Sequence, residues 1–224
     1  MTETGSRPLG LQHQPLRQVV FDDLRRRIIE GEFEQGERLF EDQLALELDV
    51  SRNPVREALQ ALAQDGFVEL EPRRGARVAV ISPERARELF EVREPLEGLV
   101  AKLAAQRRTE AQVAQLQQLV DDGLGAIASG DLGLLPALNT EYHRVMRVAA
   151  ANSFLDDTLE RLAHIIQWVY SKHISLRGTE SWWEHELIVD AVTRQDADTA
   201  FERASEHIAK ARAAYVGFDD TPTD

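Results

Sequence analysis

"SRNPVREALQALAQDGFVELEPRRGARV", residues 51–78, is the stretch on which the fold turns. Ser51 is a candidate N-cap, and Pro54 falls in the first helical turn, where its missing N–H removes no helical bond. Gly66 suits the left-handed turn that ends a helix. Between these signals Val55, Leu59 and Leu62 recur at i, i+4 and i+7 and define an inward face. Arg52, Arg56 and Gln60 recur at i, i+4 and i+8 and point outward, with Asn53 at the N-terminal edge. The runs "FVELE" and "ARVAVI" then alternate with period two around "PRRG", which predicts a β-hairpin with Arg73, Arg74 and Gly75 at its tip.

Working outward, residues 1–14 are polar and aperiodic and read as a flexible tail. Val20, Leu24 and Ile28, widened by Phe21, predict a first helix that stops at Gly31. "EDQLALEL" carries Leu44 and Leu48 four apart and predicts a short second helix ending at Asp49. The order is helix, short helix, turn, arginine helix and hairpin, which describes a winged helix-turn-helix over residues 15–81. On such a fold the outer face of the third helix enters a major groove, where Arg pairs with guanine and Asn or Gln with adenine. Ser51 and the helix N-terminus suit a phosphate. The competing explanation is a solvated face whose arginines pair with Glu57 or other acids.

These residues also carry a resemblance. "GERLFEDQLALELDVSRNPVREALQALAQDGFVELEPRRGARV" is similar to the DNA-binding domain of the GntR family of bacterial repressors, in its "VSRxPVREAL" helix and "PRRGxxV" wing. The resemblance implies that Ser51, Arg52, Asn53 and Arg56 read or hold an operator, and that Gly75 lets the wing backbone approach DNA. Asp42 stands where some members carry an arginine, which speaks against a DNA contact there.

Charge sharpens the expectation. The formal net charge of the chain is −13. Residues 1–82 hold 11 Arg, no Lys and 15 acids, and both this part and the remainder are net acidic. Bulk charge therefore does not draw this chain to nucleic acid, and recognition must rest on a local arginine surface. There is no cysteine, so disulfides and thiolate metal sites are excluded. No apolar run approaches the roughly 18 residues of a spanning helix, and the N-terminus lacks the pattern of a signal peptide, which predicts a bacterial cytoplasmic protein, at the nucleoid when bound to DNA.

From "ISPERAREL" onward no strand signal remains. Helices are predicted at about 83–107, 109–129, 131–150, 153–177, 181–195 and 197–215, with a Thr109/Gln112 capping box and joints at Gly130, Asn152, Gly178 and 195–196. The fold class is therefore mainly α: an α+β winged domain, then an all-α bundle over residues 82–217, then a tail at 218–224. Three of the six histidines fall in informative places. Asn139 and His143 are four apart on one helix face. His185 and His207 lie ten and eleven residues from the turn at 194–196, so an antiparallel pair of helices brings them to the same end. His13, His164 and His173 carry no such pattern.

Residues 83–216 resemble the FCD domain of the FadR branch of the GntR family. That resemblance implies a divalent metal on residues 139, 143, 185 and 207, with Asn139 standing where the family has Asp. An amide oxygen ligates without charge, so weaker retention is expected, and the His-rich set suits Zn or Ni. Arg93 is the expected clamp for a small organic acid bound at that metal, against the alternative that it pairs with Glu94 or Glu97 at the surface. The function expected is a ligand-responsive repressor, a homodimer on a near-palindromic DNA operator, with no membrane partner. A metalloenzyme needs a general base beside the metal, and Glu141, Glu184 and Glu186 are all set off the ligand faces. A DNA-bundling protein fits poorly with the acidity.

Overall fold

The computed structural model describes residues 15–71 and 75–216, and at 161, 170–176 and 216 it describes the backbone alone. The tails expected at 1–14 and 218–224, and the wing-tip residues Arg73 and Arg74, lie outside the described residues. The chain divides into two compact units between Ala79 and Val80.

In the first unit, α1 (Leu16–Glu30) ends at Gly31, whose positive φ of 79° lets its N–H return to the Ile28 carbonyl. Then follow β1 (Arg38–Leu39), α2 (Glu41–Glu47), α3 (Arg52–Gln64), β2 (Val68–Glu71) and β3 (Gly75–Val78). Val20, Leu24 and Ile28 of α1 and Val55, Leu59 and Leu62 of α3 are buried, as the periodicity requires. Burying side chains of this size contributes roughly 1.5–3 kcal/mol each, which anchors α3 while its other face stays wet. The sheet has one strand more than the hairpin expected: the order is β1-β3-β2, antiparallel throughout, with Arg38 opposite Arg77 and Leu39 opposite Ala76. Two residues are too short a run to show alternation. Gly75 has a local reason to be glycine, because a Cβ there would lie 2.6 Å from the Leu39 carbonyl oxygen and φ is +89°.

The second unit comprises α4 (Pro83–Arg107), α5 (Glu110–Ser129), a 3-10 turn (Leu132–Leu134), α6 (Leu135–Ala150), α7 (Ser153–Thr193) and α8 (Ala197–Val216). Ser82 caps α4, and the Thr109/Gln112 capping box opens α5. One expectation is overturned: Gly178 is no joint, and the two helices predicted around it are a single α7 of 41 residues. Gly178 is buried, and a Cβ there would meet Leu135 at 3.3 Å, so the missing side chain serves helix packing instead of a break. Close approach recurs at Gly98, against Phe201 and Ser205 of α8, and at Gly123, against Trp182 of α7. The core of the bundle is built from Leu116, Val120, Tyr142, Val145, Met146, Leu159, Ile188 and Val192. No helix among the described residues is long and apolar enough to cross a membrane.

Candidate nucleic-acid interface and candidate metal centre

Helix α3 presents Ser51, Arg52, Asn53, Arg56 and Gln60 to solvent. Ser51 occupies the N-cap position with extended backbone, but its hydroxyl makes no capping hydrogen bond, so the first-turn N–H groups and the hydroxyl remain for an anion. The arginines are paired with acids from α2, not with Glu57. Arg56 donates from Nε and Nη2 to Glu41, at 3.1 and 2.7 Å, and Arg52 Nε lies 2.7 Å from Asp42 Oδ1. Asn53 donates to Glu57 at 2.8 Å. The Arg52–Asp42 pair is exposed on both sides, at 67% and 63% of the side-chain surface, so it is worth at most about 1 kcal/mol. Arg38, Arg56, Gln60 and Gly75 line one open concavity with Glu41, Asp42 and Glu71. Sequence reasoning missed Arg38 in this group, because only pairing of β1 with β3 brings it there.

In the second unit the structure brings His143, His185 and His207 together, each offering a ring nitrogen within 4.8 Å of the others. The antiparallel turn between α7 and α8 does this: Gln195 takes a positive φ of 57°, and the His185 and His207 ring centroids stand 4.7 Å apart. Asn139 sits one turn before His143, is buried, and lines the same small cavity as Arg93, Glu97 and His143. His164 does not join the group, and the side chain of His173 lies outside the described residues.

The hydrogen bonds assign tautomers. His207 Nδ1–H donates to Glu184 Oε2 at 2.7 Å, and His143 Nδ1–H faces Glu97 Oε2 at 3.3 Å, so in both rings Nε2 carries the lone pair. Carboxylates behind Nδ1 of this kind orient ligating imidazoles. Glu184, which sequence reasoning set aside because it points away from His185, is therefore a site residue reached from α8; nothing in the local pattern signals it. Glu141 does lie apart, paired with Arg144 at the surface.

Arg93 is not at the surface. It is 5% exposed, donates from Nε to Glu97 Oε1 at 3.0 Å and from Nη2 to His143 Nε2 at 3.1 Å. Glu94 pairs instead with Arg212. The surface alternative for Arg93 thus had the right partner, Glu97, in the wrong place. Burial works against the Glu97 charge, but His143 and Arg93 outweigh it and hold the carboxyl well below its ordinary range. Glu184 is lowered to about 2, where hydrogen bonds from His207 and Arg177 overcome its burial.

His185 gives the fit test for a metal. It is fully buried, its ring stacks on Tyr142 at 3.9 Å, and neither ring nitrogen has a hydrogen-bond partner among the described residues. Buried polar atoms are nearly always satisfied, and an imidazole with both nitrogens unsatisfied is costly. Burial holds its basicity far below the ordinary imidazole value, with His207 and His143 adding to the effect, so it stays a neutral donor. His207 is lowered to about 4, chiefly by burial. Neutral, converging imidazole nitrogens are the donor set of a borderline transition ion, and the residues fit one.

An acid-balanced arginine helix on a winged sheet, joined to a helical bundle with a buried histidine cluster, defines a DNA-binding transcription regulator. The chain belongs to the gntR family of bacterial regulatory proteins: residues 16–78 match that family and residues 88–210 match the FCD domain. It is 30% identical to the HTH-type transcriptional repressor RspR of Escherichia coli K12, over 87% of this chain and 86% of that protein. It is 29% identical to the HTH-type transcriptional regulator LutR of Bacillus subtilis, over 84% of this chain and 95% of that one. Among solved structures, a putative GntR regulator from Rhodococcus sp. RHA1 aligns with TM-score 0.75 at 25% identity over 91% of this chain and 98% of that one. E. coli McbR/YncC aligns with TM-score 0.76 at 22% identity, covering 91% of this chain and 98% of that one. The family and relatives such as RspR and LutR are regulators of transcription, not enzymes.

Proposed function

We propose that the protein is a metal-dependent, ligand-responsive repressor that binds a near-palindromic operator as a homodimer. The observation that carries the sensory half is His185, a buried imidazole with two unpartnered nitrogens beside the Nε2 atoms of His143 and His207. Asn139, His143, His185 and His207 hold a divalent ion, Zn or Ni, which supplies a Lewis-acidic position for the carboxylate of a small organic acid. Glu97 and Glu184 keep the protons of His143 and His207 on Nδ1. With His143 Nε2 facing a bound ion, Arg93, which now donates to that nitrogen from Nη2, would be the cation beside the effector carboxylate.

On the DNA side, Arg52, Arg56, Asn53 and Gln60 exchange their acidic partners for base edges, Ser51 holds a phosphate, and the wing at Arg73, Arg74 and Gly75 contacts an adjacent groove. The repressor names of relatives such as RspR support the direction of regulation. Selection of bound fragments from random DNA, with and without a panel of carboxylates, tests the reading. A near-palindromic motif whose recovery changes with one of the acids is the expected result, and absence of any motif at every salt concentration refutes it. Metal analysis of the purified protein beside His143→Ala tests the site; equal metal content in both refutes it.

A further inference from the structure

Against the outer side of Arg93 lies a second cleft, formed by α4, α7 and α8. Among the described residues its lining is apolar, with Phe90, Val169, Ala211 and Tyr215 prominent, apart from Ser181 and two cations, Arg93 and Arg177. Phe90 and Val169 belong to a buried apolar cluster with Ile208, and Ala211 and Tyr215 pack against it. Arg93 and Ile166 line both this cleft and the cavity of Asn139 and His143, so the two spaces adjoin at these residues. Its Nε and Nη2 serve Glu97 and His143, whereas Nη1 makes no hydrogen bond among the described residues. Arg177 is tied to the same system, donating to Glu184 at 2.6 Å, the carboxylate that orients His207.

We infer that the effector is a monocarboxylate with an apolar tail, straight-chain or aromatic, whose head meets Arg93 and whose tail lies among Phe90, Val169, Ala211 and Tyr215. The inference rests on the reading of the helical domain as a carboxylate sensor and narrows the class of acid. One carboxylate is compensated by the Arg93 guanidinium, which borders both the cleft and the histidine cavity. Arg177, the other cation of the cleft, is already bound to Glu184, so a second or third carboxylate on the same molecule would be set against phenyl, valyl and alanyl surface, where an unpaired charge is strongly disfavoured. Each methylene taken from water into the cleft adds affinity, which a hydroxylated acid of the same length forgoes. The site therefore discriminates for tail apolarity and against further charge.

Calorimetric titration of the metal-loaded full-length protein with acetate, hexanoate, hexan-1-ol and citrate tests this. Hexanoate is expected to bind about 30-fold more tightly than acetate, given partial burial of its four additional methylenes, with hexan-1-ol and citrate weaker than hexanoate. Ala214→Phe, which fills the cleft from the α8 side, should remove the advantage of hexanoate and leave acetate binding in place. Hexanoate no tighter than acetate, or citrate tighter than hexanoate, overturns the inference while the carboxylate-sensor reading stands. Undiminished hexanoate binding by Ala214→Phe also overturns it, since the tail then lies elsewhere. Failure of every carboxylate to bind overturns both.

Discussion

At the scale of single residues, the molecule sets carboxylates against the cations on which it relies. Asp42 holds Arg52 by an exposed ion pair on the face proposed to read DNA. In the free protein this pair offsets the attraction of Arg52 for any phosphate, so binding to arbitrary sequence is weakened more than binding to an operator that replaces the lost contact. Asp42→Asn is expected to strengthen non-specific DNA binding several-fold and to steepen the salt dependence by up to about one phosphate contact. Affinities for random and selected fragments across a salt series measure both, and an unchanged slope would show that Asp42 does not compete. At position 139 an uncharged Asn stands where the resemblance to the FCD domain implies Asp. Asn139→Asp should slow removal of metal by a competing chelator by about tenfold or more, because a carboxylate adds charge to the ligand set. Identical chelation kinetics would remove Asn139 from that set.

At the scale of elements, α3 and α7 show how packing and surface chemistry divide. Leu59 is 1% exposed beneath the arginine face. Leu59→Ala should cost about 2–5 kcal/mol through lost burial and the cavity left behind, and DNA binding should fail with the fold of the winged unit. Chemical denaturation followed by far-UV circular dichroism reports the loss; a shift below 1 kcal/mol would mean the site collapses to fill the space. In the bundle, a Cβ at Gly123 would stand 2.3 Å from Trp182 Cδ2, a rigid indole that is itself fully buried. Gly123→Ala gains helix propensity on an ordinary helix, but here overpacking is expected to dominate and lower stability by about 1–3 kcal/mol. Tryptophan fluorescence should report the disturbed indole, and a stabilised variant would contradict the close approach of α5 and α7. The periodicity of α3 was sufficient to place all three of its inward residues. At Gly178 the same local reasoning failed, because a glycine that breaks an isolated helix is retained inside one when a neighbouring Leu135 requires the space.

At the scale of the whole molecule, a buried histidine cluster makes the fold sensitive to acid. His143, His185 and His207 all have basicities lowered in the fold, the last to about 4 against 6.5 when free. The unfolded chain therefore binds more protons below 6.5. The metal-stripped protein keeps its full histidine contribution above that pH and loses it progressively as pH falls toward 4. Glu184, lowered from 4.5 to about 2, adds a further loss below 4.5. Thermal unfolding from pH 7.5 to 4.5 should show the bundle transition moving to lower temperature, and a flat profile would mean the three imidazoles are already solvated.

Periodicity and turn chemistry alone placed the arginine face, the buried stripes of α1 and α3, and the two helices that bring His185 to His207, since these depend on neighbours three or four residues apart. The antiparallel symmetry about residues 194–196 also predicted that His185 and His207 lie at the same end, and their ring centroids stand 4.7 Å apart. Tertiary structure decided the rest: Asp42 and Glu41 against α3, Glu184 behind His207, Glu97 and Arg93 buried as a pair, and a cleft whose walls come from three helices. Apart from Arg93 and Glu97, which lie four apart on α4, these join residues distant in sequence, 50 apart for the contact of Arg93 with His143. Local spacing fixes which way a side chain points from its own element. Only the packing of elements fixes what it meets, and with it whether an arginine is a surface charge or the wall of a binding site.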